Sequence, residues 1–277
     1  MTDPLPVAVA IAGVPGVEPA TARYRSLGAR FTHTTWLVET PERRLVLRLD
    51  TPNVRTLGLD RRLEAAVLRR AGEAGLAPPL VHADPDAGLL VYEYLPGRSW
   101  TPGDLDHTAD LEALAALLRQ VHALPRAGIT LDTVAAAERY LAVLEPHPEL
   151  REPARRCRDV VASVAPPADP VCCHNDVVAA NVLATPALKL IDWEYAADND
   201  PYFDLANLVA CQDLDDRRAD ALLAAYAAST GGEARERFED QRRVADHLQW
   251  LWLAVRQTIV PDRATAERLR KLADRLR

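Results

Sequence analysis

Between residues 22 and 50 the chain has the texture of extended structure. Residues 31–38 and 45–49 are rich in apolar, β-branched and aromatic side chains and flank Pro41, which predicts two antiparallel strands joined around that proline. The period then changes. Over residues 59–74, Leu63, Val67 and Leu68 recur at helical spacing with charges between them, predicting an amphipathic helix that stops at Gly75. Residues 80–82 and 89–94 flank a turn at 84–88 and read as a β-hairpin, and Pro96-Gly97 behind it is the strongest breaker in this half. From Asp106 onward helical spacing dominates, in Leu111, Leu114, Leu118 and Val121, in Leu222, Leu223 and Tyr226, and in Leu248, Leu251 and Val255. The ends carry shorter signals. Residues 7–12 predict a short helix or packed arm. Residues 263–277 place Leu269, Leu272 and Leu276 on one stripe, a final packed helix in preference to a membrane-surface one. The pattern is α+β, a β-rich segment 1–95 followed by a mostly helical segment 96–277.

One stretch interrupts the helices. Residues 174–194 read HNDVVAANVLATPALKLIDWE, two short apolar runs around Pro186 with Asp176 and Asn181 before the first and Asp192 after the second. A hairpin there would return Asp192 to the side of Asn181. The spacing suits phosphoryl transfer, in which a carboxylate orients an acceptor hydroxyl and takes its proton while magnesium neutralises charge on the phosphates. Asn181 and Asp192 offer the hard oxygens that magnesium takes, and Asp176 remains as the base. The competing reading, ordinary turn residues in a structural hairpin, is outweighed by the whole constellation.

Two further residues bear on this chemistry. Arg48 lies inside an apolar strand run, where a charge needs a partner, and its fork could reach both a carboxylate and a nucleotide phosphate. Glu64, one residue off the helix stripe, suits that partnership, although pairing with neighbouring arginines on an exposed face is the alternative. His122 reads as a satisfied core histidine.

Composition narrows the partners. A chain of 277 residues with 48% hydrophobic content has ample core, and a net charge of −7 argues against nucleic acid. Cys157, Cys172, Cys173 and Cys211 form no C-x-x-C pair, which predicts a reduced cytoplasmic protein. No apolar run reaches 18 residues and no targeting segment is evident, so no membrane insertion is expected.

The catalytic-loop residues just quoted, together with residues 191–207 (IDWEYAADNDPYFDLAN), resemble the choline/ethanolamine kinase branch of the aminoglycoside phosphotransferase-like family, with some thiamine kinase-like features. The likeness covers about residues 20–257. It implies a bilobal protein-kinase-like fold and an ATP-dependent kinase acting on the hydroxyl of a small alcohol. By position it implies that Asp176 is the base, that Asn181 and Asp192 bind Mg2+, that His174 fixes the loop and that Asp204 buttresses it. The last of these has an ordinary helix N-cap as its rival reading. Val46-Leu47-Arg48-Leu49 matches the family's phosphate-pairing strand. Gly28 stands where a phosphate loop would lie, a single glycine where a kinase loop has three, with Thr32, Thr34 and Thr35 as hydroxyl donors or plain strand residues. Glu93, Tyr94 and Leu95 form the expected nucleotide hinge. Trp193, Glu194, Tyr195, Trp250 and Trp252 are the candidate acceptor pocket, since aromatic faces and a carboxylate attract a cation such as choline, ethanolamine or thiamine. Trp250 and Trp252 are two apart and do not share a helix face, unlike the choline kinase pattern of tryptophans three apart. An aminoglycoside-type phosphotransferase and a catalytically silent nucleotide-binding relative are the alternatives.

Overall fold

The structure, a computed structural model, describes residues 5–227 and 231–276. Its contacts divide the chain into two compact units, Met1–Arg98 with Leu183–Glu194, and Ser99–Val182 with Tyr195–Arg277.

The first unit is built on a five-stranded antiparallel sheet. In chain order it contains α1 (Leu5–Ile11), β1 (Arg23–Ala29), β2 (His33–Glu39), β3 (Arg44–Asp50), the single turn α2 (Val54–Leu57), α3 (Arg61–Glu73), β4 (Leu80–Asp84) and β5 (Leu89–Glu93), with strand order β1-β2-β3-β5-β4. The turn between β2 and β3 closes through Thr40, whose amide donates to the Arg43 carbonyl at 2.9 Å, and this sets the register Val38↔Leu45 and Trp36↔Leu47. The two-residue period sends Trp36, Val38, Leu45 and Leu47 to one face, where they bury Val7, Ile11, Val14 and Val17 of the N-terminal arm together with Leu89 and Val91. Arg48, one residue on, therefore faces the other way, toward α3. That helix is N-capped by Asp60, whose carboxylate accepts from the amides of Arg62 and Leu63, and it buries Glu64, Ala65, Val67, Leu68 and Ala71. Gly28 lies within β1, not between strands. It sits at a register shift opposite Thr35 with φ of 133°, a conformation that only glycine adopts without strain.

The second unit is mostly helical. After β6 (Arg98–Ser99) come α4 (Thr108–His122), α5 (Thr133–Leu144), α6 (Pro148–Ser163) and β7 (Val171–Cys173). Then follow β8 (Val182–Ala184) and β9 (Lys189–Leu190), which fall largely within the Leu183–Glu194 segment of the first unit, and, in the second unit again, β10 (Ala197–Asn199), α7 (Pro201–Gln212), α8 (Asp216–Tyr226), α9 (Gly232–Ile259) and α10 (Arg263–Arg275). Long α9 packs against α5, α6, α7 and α10. The short strands β7 and β10 pair antiparallel and hold the segment between them at both ends, Ala197 opposite Cys173. As the spacing predicts, β8 and β9 are neighbours, in a three-stranded sheet of order β6-β8-β9, and β9 leads directly to Asp192. Among the described residues no helix is long and apolar enough to cross a membrane.

The arm formed by α1 is fully integrated, since Val7 and Ile11 have 1% and 0% exposure. Ile11→Ala should cost about 2–5 kcal/mol, because the sheet face it covers leaves a cavity behind. A lower urea midpoint at unchanged slope would register this; an unchanged midpoint would show that the arm contributes nothing to the unit's stability.

Candidate active site

In the first unit, four acidic side chains gather around two guanidinium groups. Arg48, 3% exposed, needs compensation, and it finds three carboxylates: Glu64 Oε1 at 2.7 Å, Asp192 Oδ1 at 3.0 Å and Glu194 Oε2 at 3.4 Å. Arg61, which the sequence pattern did not single out, supplies the second cation. Its Nη1 is 2.7 Å from Glu64 Oε2 and 3.1 Å from Glu194 Oε2, while Nε and Nη2 hold Asp50 at 3.0 and 2.8 Å. Position i−3 from Glu64 on α3 was the available signal. Together these contacts raise the Arg48 pKa further: burial opposes its charge, but Glu64, Asp192 and Glu194 overcome that opposition. Burial nonetheless pushes Glu64 up despite its two arginines. The exposed-face alternative for Glu64 is thereby excluded.

Glu194 belongs to this network. Thr32 Oγ1 donates to its Oε1 at 3.0 Å and His33 Nδ1 lies 3.6 Å from Oε2. Burial would raise its pKa, yet His33, Arg48 and Arg61 outweigh burial and hold it at about 2. The expectation that Glu194 completes an acceptor cage therefore meets a correction: its carboxylate is buried and already committed to two guanidiniums and a hydroxyl. The same contact uses the Thr32 hydroxyl. Trp193 is likewise enclosed, 1% exposed, with Nε1 donating to the Leu190 carbonyl at 3.0 Å. Both residues follow Asp192, whose φ of 67° turns the chain sharply.

Glu93 and Tyr94, expected in the nucleotide hinge, are held by backbone pairing. The Glu93 amide donates to the Pro79 carbonyl and that of Tyr94 to the Arg44 carbonyl, each at 3.0 Å. The Arg44 guanidinium lies 4.6 Å over the Tyr94 ring, and Leu95 is half-buried.

In the second unit, one carboxylate organises the loop after β7. Asp204, fully buried on α7, accepts from the amides of His174 at 2.9 Å and Asn175 at 2.6 Å, and its Oδ2 is 3.0 Å from His122 Nε2. Burial disfavours the Asp204 anion, but the His122 hydrogen bond and the nearby imidazoles and amide hold its pKa below the usual value. His122 is satisfied at both nitrogens, with the Tyr226 hydroxyl 2.8 Å from Nδ1. Asn175 takes the left-handed conformation, φ 62°, and its amide nitrogen donates to the carbonyls of Tyr195 and Ala197. This strut was missed in the sequence, although Asn is one of the few residues that adopts such a φ cheaply.

The loop then presents Asp176 and Asn181. The Asp176 amide donates to His174 Nδ1 at 3.3 Å, and Asn181 Nδ2 donates at 3.0 Å both to the Asp176 carbonyl and to its Oδ2. With its nitrogen committed, Asn181 turns its oxygen inward: Oδ1 is buried and has no hydrogen-bond donor among the described residues. Asp192 Oδ1 shares that lack, being in ion-pair range of Arg48 without hydrogen-bond geometry. The Asn181 amide oxygen in the second unit and the Asp192 carboxylate in the first are each the kind of hard donor that magnesium takes together with water and phosphate.

The remaining aromatic candidates divide. Trp252 Nε1 donates to the Tyr195 hydroxyl at 3.2 Å, both side chains half-buried, whereas Trp250 is 4% exposed. Two-residue spacing on a helix separates the tryptophans, as anticipated, and Trp250 faces the core.

Residues 23–245 match the APH family model, described as a phosphotransferase enzyme family. The chain is 36% identical over 93 residues to protein LicA of Haemophilus influenzae, covering 31% of this chain and 35% of that protein. It is 34% identical over 167 residues to a thiamine kinase of Salmonella newport, covering 59% and 57%. It thus spans between a third and rather more than half of the length of these relatives. A choline/ethanolamine kinase family protein from Mesorhizobium loti shares the fold with a TM-score of 0.75 at 24% identity, over 97% of this chain and 93% of that one. LicA in complex with AMP does so at 0.77 and 19%, over 98% and 96%.

The depressed pKa of Asp204 fixes the sign of a pH effect. Its stabilising contribution is present in full above the unfolded value of about 3.9 and is lost as pH falls through the lower folded value. Asp204→Asn should therefore cost roughly 2 kcal/mol at neutral pH, with the gap to the wild type narrowing below about pH 4. Thermal melts across pH test this; a gap that is constant or widens in acid would show that the Asp204 charge is not what holds the loop.

Proposed function

The chain belongs to the phosphotransferase enzyme family, and from that premise we propose that it is an ATP-dependent kinase transferring phosphate to the hydroxyl of a small cationic metabolite. The observation that carries this reading is the state of Asn181: its amide nitrogen is locked onto Asp176, which leaves its oxygen buried with no donor among the described residues. A structural hairpin would have no use for an orphaned amide oxygen, which costs about 1–3 kcal/mol.

In this reading Asp176 orients the acceptor hydroxyl and accepts its proton as that oxygen bonds to the γ-phosphorus and the bond from the γ-phosphorus to the β–γ bridging oxygen breaks, releasing ADP; the Asn181 amide fixes the carboxylate in place. Asn181 and Asp192 would each give one oxygen to magnesium, which when bound neutralises charge on the transferred phosphate. Arg48, held by Glu64, faces the nucleotide phosphates, and the backbone of Glu93, Tyr94 and Leu95 takes the adenine edge. Gly28 supplies a strain-free bulge near the phosphates. The AMP complex of LicA supports ATP as the donor. His174 and Asp204 serve as scaffold, which the hydrogen bonds to the loop amides support.

For the acceptor, the half-buried pair Tyr195 and Trp252 is the aromatic surface available to a cation, and Trp193, Glu194 and Trp250 are assigned to packing and ion pairing. Relatives named for thiamine kinase and for the choline/ethanolamine kinase family support an acceptor of this class. A reducing, cytoplasmic location accords with four free cysteines.

Two measurements test the reading. Asp176→Asn keeps the side-chain shape and loses proton acceptance, so turnover should fall about 10²–10⁴-fold while magnesium-nucleotide binding persists; near-normal turnover removes Asp176 from the role. In an ATP-consumption screen, choline, ethanolamine or thiamine should be used with kcat/KM at least about tenfold above neutral alcohols of similar size. Preference for a neutral sugar or an aminoglycoside would overturn the acceptor assignment and leave the kinase chemistry standing.

A further inference from the structure

We infer that Arg61 is a positioning residue for nucleotide binding, acting through Arg48: it takes up the charge of Glu64 and Glu194 so that Arg48 stays directed at Asp192. The inference rests on the kinase reading only in assigning Arg48 and Asp192 to the nucleotide's phosphate end.

The geometry divides the labour between the two guanidiniums. Glu64 is bridged, one oxygen to each arginine, at 2.7 Å in both cases. Glu194 Oε2 also receives both, at 3.4 Å from Arg48 and 3.1 Å from Arg61. Asp192, by contrast, makes its ion pair with Arg48 alone among the described residues, at 3.0 Å. Side-chain exposures of 4% for Arg48, 2% for Glu64, 9% for Arg61 and 7% for Glu194 leave little water to screen any of these charges. Without Arg61, two buried carboxylates lose a cation each, and Arg48 becomes the remaining guanidinium within reach of both. The nearer of them, Glu64, already contacts the same Nη1 that faces Asp192. Arg48 would then be drawn toward Glu64 and Glu194, and away from Asp192.

Arg61 is itself pinned for this task. Asp50 grips its Nε and Nη2 at 3.0 and 2.8 Å, and Asp50 lies two residues after Arg48 on β3, on the same face of the sheet. The strand that carries Arg48 thus also anchors the arginine that protects it. The fork geometry is needed as well as the charge, because Nε donates to Asp50 while Nη1 donates to Glu64 and Glu194, with Nη2 in ion-pair range of Asp50.

A double-mutant cycle separates this role from general stabilisation. The dissociation constant of a fluorescent ADP analogue, with magnesium, would be measured for the wild type, Arg61→Met, Arg48→Met and the double variant, with folding followed by circular dichroism. Arg61→Met should weaken binding about tenfold in the wild-type background and less than about twofold when Arg48 is already Met, a coupling of about 1 kcal/mol or more. Equal factors in the two backgrounds, or no effect in either, would overturn the inference. If Arg61→Met does not fold, Arg61→Lys replaces it in the same cycle, since it keeps the charge and loses the fork. A wild type that binds the nucleotide and phosphorylates no alcohol would sink the kinase reading while leaving the cycle readable. A wild type that binds no nucleotide would sink both.

Discussion

A guanidinium at 3% exposure inside a β-strand dictates much of the first unit. Breaking a buried ion pair by removing one partner costs about 3–5 kcal/mol, so Arg48 constrains whatever surrounds it. Helix α3 must turn Glu64 inward, against the usual preference of an amphipathic helix for apolar residues on its buried face. The segment Leu183–Glu194 must come to this unit too, because it carries Asp192 and Glu194. One strand residue thereby joins a helix and a hairpin more than a hundred residues apart in the chain.

The second unit repeats the logic with the opposite charge. Asp204 has no exposure and, among the described residues, no arginine in ion-pair range, so it is stabilised by dipoles and an imidazole: two loop amides and His122. Satisfying that anion shapes the loop in return. His174 and Asn175 must aim their amides into the core, Asn175 adopts a left-handed φ, and Asp176 is carried to the position at which Asn181 grips it. Each unit thus holds side chains proposed for chemistry by neutralising buried charge: Asn181 is left with an Oδ1 that has no donor among the described residues, and Asp192 with an ion pair to Arg48.

This economy bears on the acceptor. Aromatic and acidic residues after Asp192 look like a cation cage when read along the chain, yet a carboxylate within reach of two arginines is neutralised by them first. In the proposed reading the surface left to a small cation is the half-buried pair of Tyr195 and Trp252, joined by a hydrogen bond.

The sequence by itself determined the local elements and the chemistry-bearing residue types. The β-branched, aromatic and apolar content of β2 and β3, the 3.6-residue period of α3, the turn at residues 84–88 and the strands on either side of Pro186 are consequences of neighbours a few residues apart, and they are legible for that reason. So was the pairing of Arg48 with Glu64, because a charge in an apolar run demands a partner. Tertiary structure alone decided which side chains remain available. The enclosure of Trp193 and Trp250, the commitment of Glu194 and Thr32, the part played by Arg61 and the placement of Leu183–Glu194 in the first unit all depend on contacts between residues distant in sequence. A residue's type states what it can bond to; only the fold states which of those bonds are already made.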